Sequence, residues 1–288
     1  MTVLASCRAS SPARSKEHLM NSNRQPAIFL PHGGGPWPWV PSMRAMHGAM
    51  ASYFSGLISE LPTRPTAVLM VSAHWEEQAP TVQVSSAPPM LYDYSGFPKE
   101  TYAVQWPAPG APDLAGEVES LLAAGGFNAR RDSKRGFDHG AFVPMALANP
   151  KADMPTLQLS LLGSLDPAQH LAMGRALLPL REQGVLIIGS GMGYHNLPEL
   201  MRAMRSGKTI EASKYFDEWL VETLSTDPSS RESGLADWAN APMARASHPR
   251  EEHLLPLHVC AGAAGEDTVS FPYREVVVGA HLSAAQFG

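Results

Sequence analysis

The chain has 288 residues, 44% hydrophobic and 17% charged, with a formal net charge of −5 at pH 7. That is the composition of a globular protein long enough to bury a substantial core. It argues against a nucleic-acid partner, which would need a basic stripe interleaved with aromatics, and no apolar run approaches the roughly 20 residues that span a bilayer. The two cysteines, Cys7 and Cys260, are too few for a disulfide framework and lack the paired spacing of a structural zinc site. A cytoplasmic location fits that usage, and histidine is left to supply any nitrogen or sulfur ligands.

Residues 1–25 are rich in Ser, Arg, Lys and Asn without apolar periodicity, and read as a disordered N-terminal tail. From Pro26 strands and helices alternate. A first strand is expected at Ala27 to Leu30, then a Gly/Pro loop and a helix from Pro41 to Ser59, where Met43, Met46, Met50, Phe54 and Leu57 keep a helical period. Strands follow at Thr66 to Ala73 and Thr81 to Ser85. The stretch from Pro88 to Pro112 is dense in proline and aromatics, which excludes a long helix or a central strand. A connection of that length inside a compact domain is usually functional.

Helices are expected at Pro112 to Ala124, Ala141 to Ala148, Pro167 to Leu180, Glu211 to Leu224 and Glu251 to Ala264. Between them lie strands at Phe127 to Arg131, Thr156 to Leu161 and Val185 to Gly189, and a closing strand at Glu275 to Leu282. No repeat or linker divides the chain. The pattern is one α/β domain over 26–288, three layers deep, with a central mostly parallel or mixed sheet flanked by helices.

Four histidines come just after predicted strands: His32, His74, His139 and His195. In an open α/β sheet ligands gather at the carboxyl ends of the strands, so these residues can converge from distant parts of the chain. Imidazole is both the commonest protein metal ligand and the usual acid/base at neutral pH. A further pair lies in H-P-R-E-E-H (248–253), where Pro249 favours an extended residue before it and a helix after it. Either His248 or His253, or Glu251 or Glu252, can face such a site. The blander reading of those glutamates is an acidic helix N-terminus complementing the helix dipole. Glycines at 33–35 and at 189, 191 and 193 allow tight turns beside strand ends, but match no dinucleotide fingerprint. Ser190 lacks the spacing of a nucleophile elbow.

Taken together, the motifs P-A-I-F-L-P-H-G-G-G-P (26–36), V-S-A-H-W (71–75), Y-D-Y-S-G-F-P-K-E-T-Y (92–102), G-F-D-H-G-A-F-V-P (136–144), V-L-I-I-G-S-G-M-G-Y-H-N-L (185–197) and H-P-R-E-E-H-L-L-P-L (248–257) resemble the class III extradiol ring-cleavage dioxygenases. Within that superfamily the chain is similar to the DOPA 4,5-dioxygenase type. The resemblance implies that His32 and His74 are metal ligands, with the third in 248–253, His253 in preference to His248. A related branch places a glutamate third, which keeps Glu251 and Glu252 open. It also implies that His195 is the active-site base, close enough to touch the metal, and that His139 contacts substrate or oxygen.

The expected activity is opening of a catechol-type ring with O₂ at a non-haem Fe(II), a facial site that leaves positions free for substrate and oxygen. Zn(II) is expected to occupy the site in purified protein, since it binds histidine sites more tightly. Tyr92, Phe97 and Trp106 are expected to wall the ring pocket. The partners are then a small aromatic diol and O₂, with the protein a monomer or homodimer. The alternatives are a zinc hydrolase on the same scaffold, or a binding protein that kept it.

Overall fold

The computed structural model describes residues 23–288. Its first half runs β1 (Ala27–Pro31), α1 (Pro41–Met46), α2 (Gly48–Gly56), β2 (Ala67–Glu77), β3 (Thr81–Gln83), α3 (Pro112–Ala124), β4 (Arg130–Asp132), α4 (His139–Ala148) and β5 (Thr156–Leu162). The second half runs α5 (Pro167–Leu177), α6 (Pro179–Glu182), β6 (Val185–Gly191), α7 (Leu197–Ser206), α8 (Glu211–Leu224), α9 (Pro228–Ala236), α10 (Ala244–Ser247), α11 (Leu255–Gly262), β7 (Val269–Val277) and β8 (Ala280–Phe287).

All eight strands join one mixed sheet in the order β4-β3-β5-β2-β6-β1-β8-β7. The central β5, β2, β6 and β1 are mutually parallel, while β3 meets β5 and β8 meets β1 antiparallel. Of the central strands, β1 and the first halves of β2 and β6 are continuous apolar runs because both of their faces are covered, while β5 alternates leucines with the buried polar Thr156, Gln158 and Ser160. Along β1, Ala27 and Phe29 enter one core while Ile28 and Leu30 enter the other, as a period of two requires. Helices α3, α5 and α11 close the first core, and α2 and α4 the second. The expected three-layer α/β architecture is what forms.

Several boundaries differ, each for a local reason. The helix expected over 41–59 breaks into α1 and α2 because His47 leaves helical geometry (φ −110°, ψ 24°) just before Gly48. The single strand expected at Glu275 to Leu282 is instead the hairpin β7–β8. Val278 and Gly279 both have positive φ (51° and 81°), the requirement of a two-residue hairpin turn that matches strand twist. Helices α7, α9 and α10 have no counterpart among the expected elements. The expected tail at 1–25 falls largely outside the described residues, but its last members are anchored: Arg24 pairs with Asp267 at 2.6 Å, and Gln25 is buried.

That anchoring centres on Arg181, which is fully buried. Its guanidinium donates to Gln25 O (2.7 Å), Ala263 O (2.7 Å), Asp267 Oδ2 (2.6 Å) and Phe287 O (2.9 Å), tying the start of β1, the end of α11 and the end of β8 together. Removing one partner of a buried charge pair costs about 3–5 kcal/mol, because the other charge is left uncompensated. Arg181→Met is therefore expected to lower the thermal unfolding midpoint by on the order of 10 °C, measured by circular dichroism.

Candidate metal centre and active site

The parallel register places the ends of β1, β6 and β2 side by side, with Leu30 opposite Ser190 and Ser72 opposite Ser190 on the other side. His32 follows β1 directly. His74 lies within β2, which continues to Glu77 past a register shift between Val71 and Glu76, so the strand does not end before it as expected. His253 sits in the turn preceding α11 instead of in its first turn, since that helix starts at Leu255. His139 is the first residue of α4, capped by the buried Asp138. His195 follows β6 in a loop.

Ligand atoms of His32, His74 and His253 lie within 4.8 Å of one another, and the Nε2 atoms of His32 and His74 are 3.1 Å apart. Two ligands about 2.1 Å from a common ion at right angles stand about 3 Å apart. Burial holds all three imidazoles below the ordinary histidine pKa, His74 at about 4, with neighbouring histidines adding to the effect. They are therefore neutral at pH 7, the state that metal coordination requires.

The far side of each ring decides which nitrogen carries its proton. Ser190 donates its hydroxyl hydrogen to Gly140 O, so at 3.0 Å it can only accept from His32 Nδ1–H, leaving His32 Nε2 bare. Glu252 Oε1 lies 2.9 Å from His253 Nδ1 and 3.3 Å from His195 Nδ1. Burial alone would raise the Glu252 pKa, but contact with the two histidines holds it below the usual range. An ionised carboxylate only accepts, so both rings keep Nδ1–H and present Nε2.

Asp93 serves the other pair. Its Oδ1 accepts from His139 Nδ1 (2.8 Å) and from the His139 backbone N–H (3.0 Å), while Oδ2 faces His74 Nδ1 at 3.5 Å. Against the opposing effect of burial, these histidines pull the Asp93 pKa down to about 2. With both outer nitrogens protonated, the Nε2 atoms of His32 and His74 oppose lone pair to lone pair, an arrangement that a cation relieves. The donor set thus fits a divalent metal.

Glycines matter here by proximity. Gly189 and Gly191 make no left-handed turn; they are extended within β6, where a Cβ would approach Pro256 O to 2.4 Å and His253 O to 2.1 Å. Their bare backbone lets the 253–256 segment lie directly on the strand end. The loop glycines Gly33 and Gly35 do adopt positive φ, as expected.

Not every candidate joins the cluster. His248 is turned into the core, donates from Nε2 to Gly193 O (3.0 Å) and packs against Phe216. Glu251 accepts from Arg245 at the surface. Trp106 is also structural, its indole donating to Asn149 O (3.0 Å) beside Phe137. Tyr92 donates to Val104 O and supports Tyr94 from behind, whereas Phe97 and Tyr94 line an open cavity. His195 stacks on His253 with ring centroids 3.3 Å apart, and His139 lies 4.0 Å from His74. Asp93, Asp138 and Ser190 were not singled out for these roles. The signal for Asp93 was a carboxylate flanked by tyrosines inside the proline-dense connection.

A mixed α/β sheet with neutral histidines gathered at its parallel strand ends defines a metalloenzyme scaffold. Residues 47–286 match the catalytic LigB subunit of aromatic ring-opening dioxygenase, and the chain belongs to that family. It is 38% identical over 280 residues to "Dioxygenase tasH" of Hapsidospora irregularis, covering 91% of this chain and 85% of the relative. To "4,5-DOPA dioxygenase extradiol" of Beta vulgaris it is 39% identical, covering 85% and 89%; to that of Escherichia coli K12, 32%, covering 92% and 94%. The crystal structure of an uncharacterized protein from Escherichia coli K12 superposes with a TM-score of 0.74 at 29% identity, over 92% of this chain and all of the other. The chain is an aromatic ring-opening, extradiol dioxygenase. Among the described residues, no helix is long and apolar enough to cross a membrane.

Two outcomes follow from this geometry. Asp93→Asn removes the charge that sets the outer nitrogens of His74 and His139, and is expected to weaken Zn(II) affinity about 10–100-fold by competition with a chelator. Burial also lowers His248 to a pKa of about 3 and His258 to about 4. Below the unfolded histidine value the unfolded chain binds more protons, so stability is complete above about pH 6.5 and falls as pH drops towards 4, by about 1.4 kcal/mol per pH unit for each histidine. Urea titrations of the metal-free protein between pH 7 and 5 should show that slope, flattened in His248→Asn.

Proposed function

We propose that His32, His74 and His253 hold a non-haem Fe(II), that His195 is the general base, and that the substrate is a catechol-type diol cleaved next to its hydroxyls. The convergence of three neutral imidazoles, with their outer nitrogens engaged by Ser190, Asp93 and Glu252, is the observation that carries this reading. When bound, Fe(II) supplies a coordination site for the diol and oxygen and passes electron density between them. The protein's residues bind, orient and move protons.

His195 presents Nε2 with its lone pair free, because Glu252 holds the proton on Nδ1. It is positioned to take a hydroxyl proton from the diol, and stacking on His253 places it beside the ligand set. The imidazolium so formed is stabilised by Glu252. His139, fixed by Asp93 against His74, reaches the same face and is assigned contact with substrate or oxygen. The 4,5-DOPA dioxygenase extradiol relatives support a catechol as the substrate class.

The test is oxygen consumption by anaerobically purified, Fe(II)-loaded protein with a panel of catechols. Uptake with a new yellow chromophore is expected. His195→Asn should lower kcat by about 10²–10⁴-fold with metal content unchanged, while His32→Ala or His74→Ala should lose the metal, measured by elemental analysis. Silence with every catechol, with Zn(II) retained and an ester or amide hydrolysed, would overturn the reading.

A further inference from the structure

A cavity of about 270 Å³ opens beside the histidine cluster, and nothing in the ring-opening chemistry requires it. Its walls include Gly33, Tyr94, Phe97, Met192, Leu200 and Met201. Three of these connect it to the cluster. Gly33 follows His32 in the chain, Met192 donates its backbone N–H to His253 O (2.9 Å), and the Tyr94 ring stands edge-on to His139 at 6.0 Å. The cavity therefore adjoins the cluster through Gly33, Met192 and Tyr94.

Its chemistry is one-sided. None of its lining residues is an Asp, Glu, Lys or Arg. The Tyr94 hydroxyl is spent on Thr101 O (2.7 Å), and His47 Nδ1 donates to Met43 O (2.7 Å) while its ring stacks on Trp37. The arginines that touch cluster elements are already engaged: Arg250 is bidentate to Glu76 at 2.6 Å, and Arg135 donates to Asp138 Oδ2 and His74 O at 2.9 Å. At the mouth, Leu197, Met201 and Met204 of α7 are about half exposed, an apolar rim facing water.

We infer that this cavity is a substrate subsite for an apolar arm, so that the diol opened here carries an alkyl or aryl substituent in place of the ammonium and carboxylate of an amino acid. The inference rests on the catechol reading above and deepens it. An apolar cavity of ~150 Å³ accommodates a benzene, so 270 Å³ takes a ring or a chain of several carbons. A zwitterionic arm placed there would lose its hydration with no charged partner to replace it. An apolar arm gains from burial at each carbon and shields the rim that α7 otherwise exposes.

The test is calorimetric titration of Fe(II)-loaded wild-type and Met201→Arg protein, without oxygen, using 4-methyl-, 4-butyl- and 4-hexylcatechol and DOPA. Oxygen uptake is followed on the same samples. For the wild type, Kd should fall about threefold per added methylene, with a negative heat-capacity change, and DOPA should bind more weakly than butylcatechol. Met201→Arg should flatten the chain-length dependence and shift the preference towards DOPA. Chain-length dependence without oxygen uptake from any catechol would support the subsite while sinking the ring-opening of catechols. A flat series, or DOPA bound more tightly than butylcatechol, would overturn the subsite. So would a flat series with a dimer by light scattering that Met201→Arg dissociates, which would assign the rim to a second copy.

Discussion

A buried imidazole can serve as a metal ligand only if it remains neutral and carries its hydrogen on the far nitrogen. Meeting that condition several times within a few ångströms governs the architecture around this site. Burial supplies neutrality, and two carboxylates and one hydroxyl supply the tautomers. Each carboxylate is shared: Glu252 between His195 and His253, Asp93 between His74 and His139. Sharing joins two of the three rings of the proposed metal set, His253 and His74, each to one ring assigned to substrate, oxygen or protons, while His32 is held by Ser190 alone. Glu252 and Asp93 thereby make the four histidines they contact mechanically one unit with the proposed ligand set.

The sheet makes that unit possible. Parallel pairing of β2, β6 and β1 aligns three carboxyl ends, and the crossovers between them must run through helices long enough to return. Those returns bring in the remaining groups. The entry to α4 delivers His139 and Asp138, and the turn before α11 delivers Glu252 and His253 onto the bare backbone of Gly189 and Gly191. Asp138 then accepts from Ser72, Gln158 and Arg135, locking β2, β5 and the α4 entry into one arrangement.

Much of this was legible in residue order. Strand-end placement singled out His32, His74 and His195, because apolar runs and sheet topology are local and generic signals. The partners of those histidines were not legible in the same way. Asp93 approaches His139 across 46 residues, and no periodicity announces the meeting. His248 and His253 shared one motif, and only the fold shows that Gly193 O draws the first into the core while Glu252 orients the second. Helix α7 had a clear start in Asn196 and Pro198, yet its apolar stripe ends at an open cavity where a packed core was the natural expectation.

The position of β1 has a consequence for how the chain reaches this state. This strand is synthesised first among the eight, but its sheet neighbours are β6 and β8, which lie at residues 185–191 and 280–287. Until β6 is made both of its hydrogen-bonding edges stay unmatched, and from there until β8 one of them still does. Long-range closures of this kind slow folding and leave open edges available to other chains. Productive folding is then tied to arrival of the last strand, and nascent or truncated chains ending short of β8 leave β1 as an uncovered sheet edge.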